Sequence, residues 1–295
     1  FLTEKDLQNQ KNTLTNKSTK ESPWKKSAII NKKYINDKIL LRSSYSSWIN
    51  NDYKSQYDLK DYEDKSSIIK NQLTIDKKNI SGDLLTKTNP LSDFPKGKNS
   101  GTCLHKIIER YNFQTDTSEQ LNRIILEELM IYNIDISLSN SVKDAILRVT
   151  HSSLGERLLH KRLIDIPSSN ILKEFKYDMS ISNDESVIKS KDIAKCFCIE
   201  KDYVFGENYS KKVEDLKFIS SGFHSGFIDC IVPIGEDLKN SKWWIIDWKS
   251  NYISNNPDSK CYPHNYNYEN MKEEMIKHHY PLQSHLYLLA LHRLL

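Results

Sequence analysis

The sequence predicts a mixed α/β domain: helices first, then a small sheet, then two closing helices. Three observations predict it. GTCLHKIIERY carries a helical apolar stripe, four strand-like segments fall between residues 171 and 250, and helical spacing returns from residue 266 to the end.

Residues 1 to about 38 are rich in Lys, Asn, Thr and Ser, lack apolar periodicity and read as a polar basic linker from an upstream region. Residues 1–100 hold 19 Lys and Arg against 12 Asp and Glu, while the remainder holds 24 against 27. A basic arm beside a mildly acidic domain suits a polyanionic partner, although a lysine-rich tether has the same composition. From about residue 39, ILLRSSYSSWI reads as a short ordered element. Residues 50–100 are polar again, with SSIIKNQLTI as one short apolar segment and NPLSDFPKGKNSG as a closing loop.

The dense core begins at residue 101. Leu104, Ile107, Ile108 and Tyr111 stand at i, i+3, i+4 and i+7, one stripe of a helix, with Ser100 as its N-cap. A second helix is expected from Ser118 to about Tyr132, and further helical stretches over 139–149 and 153–162. ILKEFKYDMSI (171–181), AKCFCIEKDYVF (194–205), GFIDCIVPI (226–234) and KWWIIDWKS (242–250) read as strands. A polar insert with Pro257 and Pro263 precedes helices over about 266–278 and 281–295, with Pro281 suited to the first turn of the last one.

Several function classes are excluded. No run of about 18 apolar residues spans a membrane. Five scattered cysteines without a CxxC pair give no zinc ribbon or iron–sulfur ligand set and fit a cytoplasmic protein. FPKGKNSGT lacks the Gly-Lys-Ser/Thr ending of an ATP-binding loop, and neither GxSxG nor HExxH is present.

The segment WWIIDWKSN carries the chemistry. Alternation along a strand puts Trp244, Ile246 and Trp248 on one side, and Ile245, Asp247 and Lys249 on the other. A carboxylate there can hold a divalent metal while the adjacent ammonium steadies developing negative charge. An incidental ion pair at a strand end is the plainer alternative. In the preceding strand Phe227, Asp229 and Ile231 should share a face, which makes Asp229 a carboxylate among core residues. The short link of about residues 235–241 suits an antiparallel hairpin that sets Asp229 beside Asp247. Glu174 should alternate with Leu172 and Lys176; His105 lies beside the first helical stripe; Gln283 and Tyr287 stand one turn apart on the last helix. Each of these four candidates, Glu174, His105, Gln283 and Tyr287, also has an ordinary structural reading.

In order, FPKGKNSGTCLHKIIE, KEFKY, GFIDCIV, WWIIDWKSN and HYPLQSHLYLLALHR resemble the nuclease domain of the RecB family, from bacterial helicase–nucleases of the exodeoxyribonuclease V type. The GTxLH, GxID, DxKSN and YxLQxxLYxLALHR motifs carry the resemblance over roughly residues 94–295. It implies a restriction-endonuclease-like PD-(D/E)XK fold, a small mixed central sheet flanked by helices. It further implies a nuclease domain over 39–295, cut short at its C-terminal side, behind a linker from a helicase region. Carried over by position, His105, Asp229 and Asp247 would hold Mg²⁺ together with the Trp248 carbonyl, and Glu174 would stand nearby. Lys249 would be the catalytic lysine, while Gln283 and Tyr287 match the helix motif that supports the site. The implied activity is Mg²⁺-dependent hydrolysis of DNA, mainly single strands, with RecC- and RecD-like subunits as partners. A DNA-binding scaffold of the same fold, without catalysis, is the alternative.

Overall fold

The computed structural model describes residues 42–50, 89–181, 187–198, 205, 207–235, 240–254 and 260–295. The basic linker, SSIIKNQLTI and Pro257 lie outside the described residues. Strand β1 (Arg42–Ser43) and helix α1 (Tyr45–Asn50) realise the ordered element foreseen at ILLRSSYSSWI. Helices α2 (Lys98–Arg110), α3 (Ser118–Ile131) and α4 (Ser139–His151) follow, then the long strand β2 (Leu172–Ser180). A small sub-assembly comes next: β3 (Ile188–Lys189), α5 (Ser190–Ala194), α6 (Glu207–Glu214) and β4 (Ile219–Ser220). Strands β5 (Phe223–Ile234) and β6 (Lys242–Ile246) and helices α7 (Tyr268–Lys277) and α8 (Tyr280–Leu294) complete the order.

β5 is the spine of the main sheet. It pairs antiparallel with β2 along one edge, while β1 (parallel) and β6 (antiparallel) pair with its two ends. The result is a small mixed sheet flanked by helices, compatible with a PD-(D/E)XK-like fold. One core cluster joins α2, α3 and α4 to Cys230, Val232 and Ile234 of β5 and to Trp244, Ile246 and Trp248. A second joins α1, α5, α6 and α8 to Tyr177, Met179, Ile228 and Ile231, with Phe175, Trp243 and Ile245 packed against it. Alternation holds for the apolar residues of WWIIDWKSN, the even-numbered ones facing the first cluster and the odd-numbered ones the second, but the strand expected over 242–250 ends at Ile246.

Four further expectations are corrected. Ser100 does not cap α2; the helix starts at Lys98 after Gly97, whose φ of 109° suits only glycine, and Ser100 is buried in the first turn. The stretch 153–162 holds a single 3₁₀ turn (Glu156–Leu158), because Gly155, Leu159 and His160 all take positive φ and cannot continue a helix. KCFC is likewise a 3₁₀ turn after α5, not a strand, so Cys196 and Cys198 do not share a strand face.

The fourth correction concerns alternation in β2 and β5. Phe175, Tyr177 and Met179 face the second cluster, yet Lys173, also odd-numbered, reaches across to the end of α2. In β5, Ile228 belongs to the second cluster while Cys230 and Val232 belong to the first. The register Phe175↔Ile228 and Lys173↔Cys230 brackets the slip between Glu174 and Asp229. Glu174 sits at φ 48°, a left-handed backbone in mid-strand, and that reverses the side-chain parity. Phe227, Asp229 and Ile231 therefore do not share a face, nor do Leu172, Glu174 and Lys176 form one simple alternating row.

His224 is completely buried in β5, stacked on Tyr177 (centroids 5.8 Å, 10°) and edge-on to Trp48 (4.8 Å). Burial pushes its pKa down to about 3. The unfolded chain takes up that proton below about pH 6.5 while the folded chain does not, so stability falls as pH drops from there toward 3. Urea unfolding should lose on the order of 2 kcal/mol between about pH 6.5 and 4.5 through this group, and a His224→Phe variant should show a flatter profile. An equally steep profile in the variant would count against the assignment.

Candidate functional site

The site forms where β2, β5 and β6 meet α2 and α8. The ladder between β5 and β6 ends at Cys230↔Ile246, so the next residues in that register are Asp229 and Asp247. The Trp248 backbone N–H donates to Asp229 Oδ2 at 2.7 Å and closes the hairpin just beyond the ladder. Asp229 is thus fixed by the strand that carries Asp247. The Trp248 indole packs into the first core cluster and anchors the stretch that follows β6.

α2 approaches from the other direction because Gly101 permits it. A Cβ there would lie 3.1 Å from Ser250 Oγ, so the helix passes close to the Ser250 side chain in the segment after β6. One turn further along α2, His105 Nδ1 stands 3.6 Å from Asp229 Oδ1, both side chains mostly buried. The far end of α2 is tied to β2. Lys173 Nζ donates to the carbonyl oxygens of Ile108 (2.9 Å) and Tyr111 and lies over the Phe113 ring. Burial lowers the Lys173 pKa to about 8.

Ligand atoms of His105, Glu174 and Asp229 all lie within 4.8 Å of one another. Asp247 lines the same pocket, but its Oδ2 is 2.7 Å from Lys249 Nζ and it stands outside that trio. Gln283 and Tyr287 line the pocket from α8, with Gln283 Nε2 donating to the Tyr287 hydroxyl at 2.8 Å. Gln283 is buried, and its Oε1 has no hydrogen-bond partner among the described residues. The structure therefore gathers His105, Glu174, Asp229, Asp247, Lys249, Gln283 and Tyr287 around one pocket. Trp248 contributes its amide to Asp229.

The two carboxylates at the centre respond in opposite directions. Burial raises Glu174, and the charges of Asp229 and Glu109 add to that, against Lys106 and His105. Burial would raise Asp229 as well, but the hydrogen bond and charge of His105, the charge of Lys249 and the Trp248 amide outweigh it and hold it low. Two acids and an imidazole converging in a half-buried pocket form a donor set suited to a hard divalent cation, which favours carboxylate oxygen. Like charges this close destabilise each other until a cation or proton intervenes.

Sequence reasoning passed over Lys98, Gly101, Thr102 and Lys106, which also line the pocket. Their spacing with His105 follows one face of α2, a signal readable once His105 is taken as a site residue.

The backbone at Glu174 yields a test. Left-handed geometry costs a non-glycine residue about 1 kcal/mol, less for asparagine. A Glu174→Asn variant in chelator should unfold about 1 kcal/mol later than the parent, having lost both strain and repulsion, while binding Mn²⁺ more weakly by calorimetry. An earlier unfolding transition would overturn the strain account.

No family model matches the chain. Similarity extends to proteins named RecBCD enzyme subunit RecB. That of Buchnera aphidicola subsp. Baizongia pistaciae is 29% identical over 205 residues, covering 68% of this chain and 15% of the relative. That of Haemophilus influenzae is 26% identical over 241 residues, covering 81% and 17%. That of Buchnera aphidicola subsp. Acyrthosiphon pisum is 27% identical over 291 residues, covering 97% and 22%. The chain thus spans about a fifth or less of the length of these relatives. They bear out the resemblance to the RecB family carried by the motifs. No helix among the described residues is long and apolar enough to cross a membrane.

Proposed function

We propose that this chain is a Mg²⁺-dependent DNA nuclease domain of a RecBCD-type helicase–nuclease, hydrolysing phosphodiester bonds, mainly in single strands, during double-strand break repair and recombination. The observation that carries the reading is the convergence of His105, Glu174 and Asp229 within 4.8 Å, in a pocket that Asp247 and Lys249 also line. The similarity to RecB proteins supports it. RecC- and RecD-like subunits and a cytoplasmic location follow from the same reading, as does cleavage in the exodeoxyribonuclease manner.

The residues fit the ion. Asp229 and Glu174 offer carboxylate oxygens and His105 an imidazole nitrogen, while Asp247 is a further carboxylate lining the same pocket. A bound Mg²⁺ would neutralise charge on the phosphate and favour water as the nucleophile. The remaining work falls to side chains. Trp248 N–H and His105 keep Asp229 ionised and aimed at the pocket. Lys249, now paired with Asp247, is the ammonium able to donate to a non-bridging phosphate oxygen as charge builds there. The Gln283 Oε1, without a hydrogen-bond partner among the described residues, can accept a hydrogen bond from a water and orient it without taking its proton, and Tyr287 fixes that amide.

Labelled single-stranded and duplex oligonucleotides incubated with the chain and Mg²⁺, Ca²⁺ or chelator test the reading. Cleavage should require Mg²⁺ and favour single strands. Asp247→Ala and Lys249→Ala should each slow it by about 10²–10³-fold while leaving the unfolding midpoint close to the parent's. Undiminished cleavage by either variant refutes the proposal, and binding without cleavage under every condition favours the scaffold alternative.

A further inference from the structure

Lys249 lies three residues beyond the last ladder residue of β6, in a stretch without regular secondary structure. No sheet register therefore fixes the direction of its side chain. A lysine carries four flexible carbons, and holding its ammonium at one point costs rotamer entropy. Asp247 supplies one tether. The other is an aromatic face: Lys249 Nζ stands 4.5 Å from the centroid of the Tyr280 ring, within cation–π range.

That ring is itself held on its face and at its hydroxyl. Tyr280 opens α8, directly after His279, whose φ of 55° turns the chain sharply out of α7. The turn lays the ring on His278, with centroids 5.4 Å apart and planes at 19°. Its hydroxyl donates to Asn251 Oδ1 at 2.9 Å, and the Asn251 amide reaches Glu274 Oε2 at 3.4 Å. Glu274 Oε2 also meets His278 Nε2 at 3.0 Å, which closes a circuit of four residues from α7, α8 and the segment after β6. Tyr266 fixes Asn251 once more, donating its hydroxyl to the Asn251 carbonyl at 2.9 Å. Such a circuit is more than α8 needs to start, because Pro281 already supplies a first-turn residue.

We propose that Tyr280 is the positioning residue for Lys249: its ring, clamped by Asn251 and His278, is the platform that keeps the ammonium at the pocket. The proposal rests on the reading of Lys249 as the amine that serves the reacting phosphate. When Asp247 turns toward a cation, the ring retains the lysine that Asp247 releases. Tyr280 acts through Lys249 and touches no substrate.

Two measurements on the full chain separate this proposal from the nuclease reading. In spectra of ¹³C-lysine-labelled protein, the ε-CH₂ signal of Lys249, assigned by its loss in Lys249→Arg, should lie upfield in the ring current of Tyr280. Tyr280→Leu should abolish that displacement and Tyr280→Phe should keep it. In the cleavage assay, Tyr280→Leu should lower kcat by about tenfold with KM within about twofold of the parent, while Tyr280→Phe restores most of the rate. An undisplaced parent signal, a change in KM alone, or a phenylalanine variant as slow as the leucine one overturns the proposal. If Tyr280→Leu fails to fold, Tyr280→Met, which keeps bulk but not the ring, replaces it; a parent-like signal and rate there also overturn the proposal. Should the parent cleave no nucleic acid, the functional reading falls, and the lysine signal alone decides the role of Tyr280.

Discussion

Two carboxylates held beside one imidazole inside a half-buried pocket repel each other, and the surrounding elements are arranged around that repulsion. Glu174 and Asp229 face each other across the β2–β5 ladder at the point where the left-handed backbone of Glu174 interrupts alternation. Regular alternation would have sent the neighbours of each acid to the same layers along the whole strand. The slip lets apolar residues on both sides of it remain in the two cores while the acids themselves meet in the pocket. Asp229 stays ionised because His105 and the Trp248 amide meet it, and Glu174 bears the cost of burial. This unequal division is what a cation would relieve.

Each layer of the domain sends something to that point. The first contributes α2 with His105, whose Nδ1 stands 3.6 Å from Asp229 Oδ1. The second contributes α8, whose Gln283 and Tyr287 bond to each other while the Tyr287 ring meets Tyr177 edge-on at 5.9 Å. Tyr177 in turn packs across Gly226, where a Cβ would lie 2.7 Å from its hydroxyl oxygen. The sheet, the glycine and two tyrosines thus form one continuous support beneath the glutamine amide.

Much of this was legible in the sequence, for identifiable reasons. The hairpin of β5 and β6 follows from two apolar runs with a short link, and its ladder ends one residue short of both Asp229 and Asp247, which line one pocket. The stripe on α2 and the proline at the start of α8 are local signals, and both hold. Glu174 was readable as an acid in a strand, but its left-handed backbone was not, because no local pattern announces a non-glycine residue there. KCFC alternates like a strand over too few residues to distinguish it from a turn with one buried aromatic, Phe197. Residues 153–162 have helical spacing, yet Gly155 breaks the backbone first. The contact between Tyr280 and Lys249 joins residues 31 positions apart and exists only once α7, α8 and β6 have docked.

The attachment of Lys173 beneath α2 has a mechanical consequence. Its ammonium holds the carbonyls that end the helix, and the next residue along its own strand is Glu174. Sliding α2 lengthwise would strip those carbonyls of their donor in a buried setting, so the helix and the strand resist moving past each other. His105 and Glu174 are then like two jaws bolted to one frame: thermal breathing can carry them together, but their gap stays set. A recess built this way resists being stretched along the helix axis.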